Sequence, residues 1–321
     1  MTINEHLTEF AGKPVANFRH EHDGESSDDH YGSGSSDVPP SAGDVAWRLG
    51  TWFDGPDFGD VFRKFLEEVE TAEVTHLIIG YWGASYDKGS VPDPVELLVG
   101  AANRLPVLRA VFLGDIVMEE AEISWIEQSD VTRLFDAYPG LEHLEVRGGQ
   151  GLVLRPLRSH TLRTLRLESG GLPAAVVRAV GDSDLPALEH LDLWLGTGNY
   201  GGDATTADLA GILGGERLPA LRHLGLEDAE IEDEVASAVA GAPIVARLTS
   251  LSLAMGTLTD RGAESLISGQ PLTHLARLDL HHHFLTDPTM DRVRSALPGV
   301  EVNLDERESS DSDWLYVAVS E

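Results

Sequence analysis

The 321-residue sequence predicts an α/β solenoid, with a parallel β-sheet along one side and α-helices along the other. Two observations predict this fold. A short motif with apolar residues, mostly leucine, at its first, fourth and sixth positions recurs along the chain, and amphipathic stretches separate its copies. The motif begins at residues 74, 108, 141, 162, 188, 221, 248 and 275, so successive copies lie 21 to 34 residues apart. This period is typical of repeats that each contain one strand and one helix.

The strands are clearest in the middle of the chain. The segment Leu141–Val146 recurs as Leu162–Leu167, Leu188–Leu193 and Leu221–Leu226. Because strand side chains alternate between faces, the fourth and sixth positions point to one side, where stacked strands bury them in a continuous core. The ninth position carries Asn or Cys in leucine-rich repeats. Here it is Gly149, Gly170, Gly196, Ala229, Gly256 and His283. We therefore expect tight backbone turns and no asparagine ladder.

The connections between strands predict helices. Ile231–Val239, Leu258–Leu266 and Leu285–Val293 share one register, and each has an Asp at its third position, where we expect the helix N-cap. Leu258–Leu266 closely resembles leucine-rich-repeat proteins of the ribonuclease-inhibitor type. This resemblance covers about residues 74–300. It implies a horseshoe of about eight or nine repeats with a concave sheet and convex helices. It implies no particular activity, because this fold serves many partners.

The two ends carry a narrower resemblance. His6–Phe10, His281–His283 and Tyr316–Glu321 are similar to an uncharacterised leucine-rich-repeat family of actinomycetes. That resemblance carries over no catalytic residue.

Composition divides the chain into four segments. Residues 1–18 carry apolar anchors and predict an N-terminal cap. Residues 19–43, rich in Ser, Gly, Asp and His, predict a disordered acidic linker, because they bury too little apolar area to offset the entropy of ordering. Residues 44–304 hold the repeats. In residues 305–321 an acidic segment precedes Trp314–Val319, which predicts a strand that caps the exposed core of the last repeat.

Charge and residue content argue against several functions. The 23 basic and 54 acidic residues give a net charge of −31, which repels phosphate backbones, so we expect no nucleic-acid partner. The absence of cysteine excludes disulfides and thiol nucleophiles. No apolar run is long enough for a membrane span, and the first residues lack the features of a secretory signal, so we expect a cytoplasmic protein with no membrane partner.

Catalytic motifs are also missing. The sequence contains no nucleophile elbow, no phosphate-binding loop and no H-E-x-x-H motif. The glycine-rich stretch at 196–202 misses the dinucleotide-binding spacing by one position. We therefore expect a protein that is not an enzyme and needs no cofactor.

The predicted function is that of a scaffold or inhibitor that binds a protein partner on the concave face. The third, fifth and seventh strand positions point into the concavity, and an exposed Trp194 surrounded by charges would form a binding hot spot. The predicted patch comprises Glu145, Arg147, Arg166, Glu168, His190, Asp192, Trp194, His223 and Glu227. The alternative interpretation is a solvated sheet face whose ion pairs contribute little stability.

The histidines suggest a second function, a sensor of metal or small ligands. His190 and His223 should be neighbours on adjacent strands, and Asp279, His281 and His283 form a second group of zinc-type ligands. Because neighbouring strand residues face opposite sides, His281 and His283 should share one side and His282 should face the other. Against that second group, His283 occupies the turn position, where a side chain usually bonds the backbone. A structural or surface role therefore stays open beside metal binding.

Overall fold

The computed structural model describes residues 3–18, 41–83, 91–309 and 314–321. Its centre is a sheet of twelve strands, β1 to β12, that lie side by side in chain order. The strands are β1 Glu9–Phe10, β2 Lys13–Asn17, β3 Ala46–Leu49, β4 His76–Ile79, β5 Ala110–Leu113, β6 His143–Arg147, β7 Thr164–Glu168, β8 His190–Gly196, β9 His223–Ala229, β10 Ser250–Ser252, β11 Arg277–Asp279 and β12 Glu301–Asn303. Only β1 and β2 pair antiparallel; every later pair is parallel.

Helices connect the strands. Within the described ranges there are eight α-helices: α1 Phe58–Glu68, α2 Pro94–Gly100, α3 Arg133–Ala137, α4 Ala174–Asp182, α5 Ala210–Gly214, α6 Glu232–Val239, α7 Asp260–Ser268 and α8 Asp287–Ala296. Short 3₁₀ helices lie at Thr71–Glu73, Ile123–Trp125, Gly198–Tyr200 and Pro243–Arg247. None of the helices in these segments is long and apolar enough to cross a membrane. The cytoplasmic location stays a prediction.

The repeat register is the one that the sequence predicts. Leu144, Leu165, Leu191, Leu224, Leu251 and Leu278 stand opposite one another on successive strands. These leucines are buried with the inward faces of the helices, such as Val177 and Leu266, in one continuous core. The predicted α/β class with a parallel, repeat-like sheet is therefore confirmed.

The predicted helix caps are wrong by one or two positions. The N-caps of α6, α7 and α8 are Ile231, Thr259 and Thr286, and the expected Asp lies inside the first turn of each helix. The reason is that these carboxylates reach into the next repeat. Asp233 Oδ1 accepts from the backbone N–H of Thr259 at 2.8 Å, and Asp260 Oδ1 accepts from that of Thr286 at 2.8 Å. Each carboxylate thus caps the following helix and links two repeats.

The sheet face opposite the helix-packed core carries the third, fifth and seventh strand positions, and we call it the front face. On its first strands the front face is apolar, because Ala46, Ile78, Ala110 and Phe112 form a separate buried cluster. Phe10 covers this cluster, with its ring 6.1 Å from that of Phe112. The N-terminal residues therefore lie against the front face as well as extending the sheet through β1 and β2.

The predicted C-terminal capping strand is wrong. Residues 314–321, which we call the C-terminal strap, form no strand, and β12 is the last strand of the sheet. The strap runs back over the ends of earlier strands instead. The backbone N–H of Ala318 donates to Met255 O at 2.8 Å, and that of Val319 donates to Asp228 Oδ1 at 2.9 Å. It takes this path because Val317 and Val319 become buried there.

The four predicted segments are only partly visible in the structure. Of the predicted linker at 19–43, only residues 41–43 are described, and residues 19–40 lie outside the described part of the chain. The disorder of that linker and the boundaries of the segments stay predictions.

Candidate functional site

The structure gathers all nine residues of the predicted patch on β6 to β9 of the front face. Their charged side chains form two rows that run across neighbouring strands. Glu145 stands opposite Arg166, Arg166 opposite Asp192, and Arg147 opposite Glu168. The predicted exposure does not hold. Five of the nine residues are buried: Glu145, Arg147, Glu168, Asp192 and Trp194. Arg166, His190, His223 and Glu227 are half-buried.

Trp194 is the clearest correction, since its side chain is not the exposed hot spot that we predicted. Only 1% of the residue is exposed. Its ring lies in an apolar cluster with Met255, and Ile3 and Val319 from the two chain ends complete that cluster. Its Nε1 donates to Glu227 Oε2 at 2.9 Å. Both ends of the described chain therefore pack into the cluster that buries Trp194 at the centre of the predicted patch.

The charge rows form a buried network rather than a solvated face. Arg147 donates from Nε to Glu168 Oε2 at 2.7 Å and from Nη1 to Ile116 O at 2.8 Å. Arg166 donates to the other oxygen of Glu168 and, at 3.0 Å, to Asp192 Oδ2. Burial by itself raises the pKa of Glu168, but the two guanidinium groups outweigh burial and hold the pKa below its ordinary value.

A second group on the front face has the composition of a metal site. His190 Nε2 and His223 Nε2 each lie 2.7 Å from a different oxygen of Asp192. The two imidazole rings stack with centroids 4.1 Å apart. Nδ1 of His223 lies 2.6 Å from Ser250 Oγ. Gly225 stands opposite Asp192 on the next strand, where a Cβ atom would lie only 2.1 Å from Asp192 Oδ1. The absence of a side chain at position 225 therefore makes room for this carboxylate.

His190, Asp192, His223 and Ser250 line a pocket of about 230 Å³ on the front face. Arg277, Asp279 and His281 from the end of β11 line the same pocket. Asp279 Oδ1 lies 2.8 Å from His281 Nδ1, and Asp279 Oδ2 accepts from Arg277 at 2.7 Å. The hydrogen bond to Asp279 raises the pKa of His281. The pocket can therefore present imidazole, carboxylate and guanidinium groups to a polar ligand.

The second predicted metal group does not assemble. His283 is buried, and its Nδ1 accepts from the backbone N–H of Leu285 at 3.1 Å, while its Nε2 lies 3.2 Å from Leu304 O. Between His281 and His283 the chain turns, because His282 has a φ of 54°. His281 stays beside Asp279 in the pocket, whereas His283 bonds the backbone at the turn.

Sequence reasoning missed two buried acids close to this region. Asp228 and Glu232 are fully buried. Asp228 Oδ2 and Glu232 Oε1 have no hydrogen-bond partner among the described residues. Burial raises the pKa of both side chains well above their ordinary values of 3.8 and 4.5. The charge pattern did not indicate the burial of Glu232, because acidic residues are common in the first turn of a helix, where Glu232 lies.

We expect Glu232→Gln to stabilise the protein at neutral pH. The pKa of Glu232 is higher in the folded than in the unfolded chain, so its stabilising effect is present below the unfolded pKa and is lost as the pH rises toward the folded pKa. Each pKa unit by which the folded chain differs from the unfolded chain changes the free energy of unfolding by about 1.4 kcal/mol. Melting temperatures measured between about pH 4 and 8 should therefore fall less steeply for the variant.

Glu234→Gln is the matched control, because Glu234 lies on the same helix with a half-exposed side chain. It should leave the pH profile of the wild type unchanged. Identical profiles for Glu232→Gln and the wild type would show that Glu232 is ionised in the folded protein at no cost.

Comparison with solved structures shows what this chain is similar to in fold. The chain is similar to a protein of Bacteroides fragilis. The crystal structure of that protein, a structural-genomics target, matches with a TM-score of 0.73 and 28% identity, over 81% of this chain and 73% of that chain. No protein-family model and no curated protein matches this sequence. The similarity supports a repeat-like α/β fold with a parallel sheet over most of the chain.

Proposed function

We propose that this protein is a leucine-rich-repeat horseshoe of the ribonuclease-inhibitor type that binds a protein partner and catalyses no reaction. Two features support the repeat type. From β8 to β12 each connection contains one α-helix, and the buried leucines keep one register from β8 to β11. In this interpretation the front face is the concave side of the horseshoe, and the helices form its convex side.

The partner surface that we propose differs from the patch predicted by sequence, because the chain's own ends cover that patch. Three tryptophans are exposed instead: Trp52 after β3, Trp125 after β5, and Trp314 in the C-terminal strap. They are 54%, 58% and 73% exposed. Trp52 and Trp125 lie on the same part of the surface, because they line two neighbouring pockets that share Tyr81, Trp82 and Pro92. These exposed tryptophans are the observation that carries the proposal.

The physical reason lies in the cost of exposing large aromatic rings to water. Exposed apolar patches mark interaction sites more often than they mark ordinary surface, and tryptophan is enriched among the residues that contribute most to binding. The net charge of −31 favours a partner with a basic surface, since charge complementarity accelerates association.

Partner capture tests the proposal. The full chain, carrying an affinity tag without histidines, is incubated with a lysate of the cells that make it. We expect the wild type to retain a stoichiometric protein, and we expect Trp52→Ala/Trp125→Ala to retain at least about tenfold less, because each hot-spot residue contributes about 2 kcal/mol or more. Arg178→Ala is the control, since Arg178 is exposed on α4 and should not matter.

Two results would contradict the proposal. One is a wild-type chain that retains no protein under these conditions. The other is a partner that the tryptophan variant retains as well as the Arg178→Ala control. The alternative function, a sensor of metal or small ligands, draws its support from His190, Asp192 and His223 rather than from Asp279, His281 and His283.

A further inference from the structure

We infer that His190, Asp192 and His223 bind a divalent transition-metal ion such as zinc. The three side chains come from β8 and β9, and their donor atoms all lie within 4.8 Å of one another. Two imidazoles and one carboxylate are a set that zinc accepts, and three protein ligands leave a fourth position for water or a ligand. This site is independent of the proposed partner binding, because it uses other residues.

The ligand atoms already converge on one place. Each Nε2 lies 2.7 Å from an oxygen of Asp192, so the three ligands would need only small shifts to surround one ion. The ion would take the place of the hydrogen bonds that now join each Nε2 to Asp192. Each ring then carries its remaining proton on Nδ1, as a neutral imidazole that coordinates through Nε2 requires.

Neighbouring residues orient two of the ligands. The Nδ1 of His223 lies 2.6 Å from Ser250 Oγ, which can accept the Nδ1 proton and thereby direct the bare Nε2 toward the ion. Arg166 donates to Asp192 Oδ2 at 3.0 Å. Contacts of this kind to the non-coordinating atoms of ligands are a regular feature of metal sites, where they set ring orientation and tautomer.

Carboxylates crowd the pocket beside the proposed ligands. Asp192, Glu227 and Asp279 line it, together with Arg166, Arg277 and His281. Asp192 and Glu227 crowd around Gly225: a Cβ atom there would lie 2.1 Å from Asp192 Oδ1 and 3.4 Å from Glu227 Cδ. A bound cation would reduce the repulsion between these two carboxylates.

The competing interpretation is a closed hydrogen-bond cluster. Asp192 already has His190, His223 and Arg166 as partners, so the group is satisfied without an ion. Two observations favour the metal site over this interpretation. The His190 side chain is 39% exposed, so an ion can reach it from solvent. In addition, two stacked histidines share the Asp192 carboxylate, whereas one histidine, His143, lies beside Glu145 in the equivalent strand position.

Calorimetric titration of the full, tag-free chain with zinc chloride alone tests the inference. We expect the wild type to bind one ion at this site and His190→Gln/His223→Gln to bind it at least about 100-fold more weakly, since two of three protein ligands are lost. Ser250→Ala should weaken binding about tenfold, because it removes only the residue that orients His223. Cobalt, used as a second probe, should give visible absorption bands in the wild type and none in the double variant.

His143→Gln is the matched control. His143 occupies the same strand position on β6 and lies 2.6 Å from a Glu145 oxygen, but within the described residues it belongs to no group of three potential ligands. It should bind zinc like the wild type. Circular dichroism and metal-free melting curves establish that each variant folds. If the double variant does not fold, the single variant His190→Gln replaces it in the titration, because His190 is only half-buried.

Three outcomes would overturn the inference: no heat with the wild type, equal affinity in the wild type and the histidine variant, or an equal loss in His143→Gln. Zinc should also raise the melting temperature of the wild type and not that of the variant, because an ion that binds only the folded state stabilises it. Partner capture with the same variants is a separate measurement, so a failed metal site and a failed partner proposal are distinguishable.

Discussion

Replacing Arg147 by alanine is expected to destabilise the fold by about 3–5 kcal/mol, because it breaks a buried ion pair by removing one partner. Arg147 and Glu168 are both 1% exposed. The substitution removes the hydrogen bonds to Glu168 and Ile116 and leaves the Glu168 carboxylate with Arg166 as its single basic partner. It also removes a guanidinium that lies 5.5 Å from the centre of the Phe112 ring.

Unfolding in urea measures this loss, and Arg163→Ala is the matched control. Arg163 also pairs with a glutamate of the next repeat, with Nη1 2.6 Å from Glu189 Oε1, but both side chains are more than half exposed. Exposed pairs of this kind contribute about 0–1 kcal/mol. Equal losses in the two variants would mean that burial gives the Arg147–Glu168 pair no special weight.

Removal of the C-terminal strap, residues 314–321, should lower the melting temperature by about 5–7 °C. The strap buries Val317 and Val319, and burying two such side chains is worth about 3–5 kcal/mol as an upper estimate. With an unfolding entropy of about 2.1 cal/mol/K per residue, each kcal/mol shifts the melting temperature of a 321-residue chain by about 1.5 °C. Loss of the strap also deprives Asp228 of the N–H that Val319 donates to it.

Trp194 gives this truncation a second, local measurement. Because Val319 belongs to the cluster around Trp194, the truncated chain should show a red-shifted emission and stronger quenching by acrylamide. Trp314→Ala in the full chain is both the control and the reference spectrum, since Trp314 is exposed and leaves with the strap. Unchanged melting and unchanged quenching relative to Trp314→Ala would show that the strap contributes no stability.

Packing of both chain ends around Trp194 also explains why the proposed binding surface differs from the predicted patch. Ile3 and Val319 both belong to the apolar cluster around Trp194. Periodicity places Trp194 correctly on the front face, and it places Arg166 and Glu227 beside it. It has no information on segments outside the repeats that fold back over that face. Periodicity therefore predicted the position of Trp194 correctly and its exposure wrongly.

For the histidines, too, the sequence predicted which residues are neighbours but not how their side chains interact. Their strand position predicts that His190 and His223 are neighbours, and the structure stacks their rings. The third strand position of adjacent repeats is thus a sequence signal for this pair. The role of Asp192 between the two rings depends on side-chain rotamers and on the space above Gly225, which no sequence pattern encodes.

The sequence by itself determined the parallel order of β4 to β11, the buried leucine positions and the alternation with helices. It could do so because each of these follows from a local period of two or of 3.6 residues that repeats along the chain. Tertiary structure alone decided the burial of Trp194, the return path of the C-terminal strap, the backbone-bonded role of His283 and the caps that Asp233 and Asp260 supply to the next helix. Each depends on contacts between different repeats or between chain ends and repeats, where local periodicity carries no information and packing selects the partner.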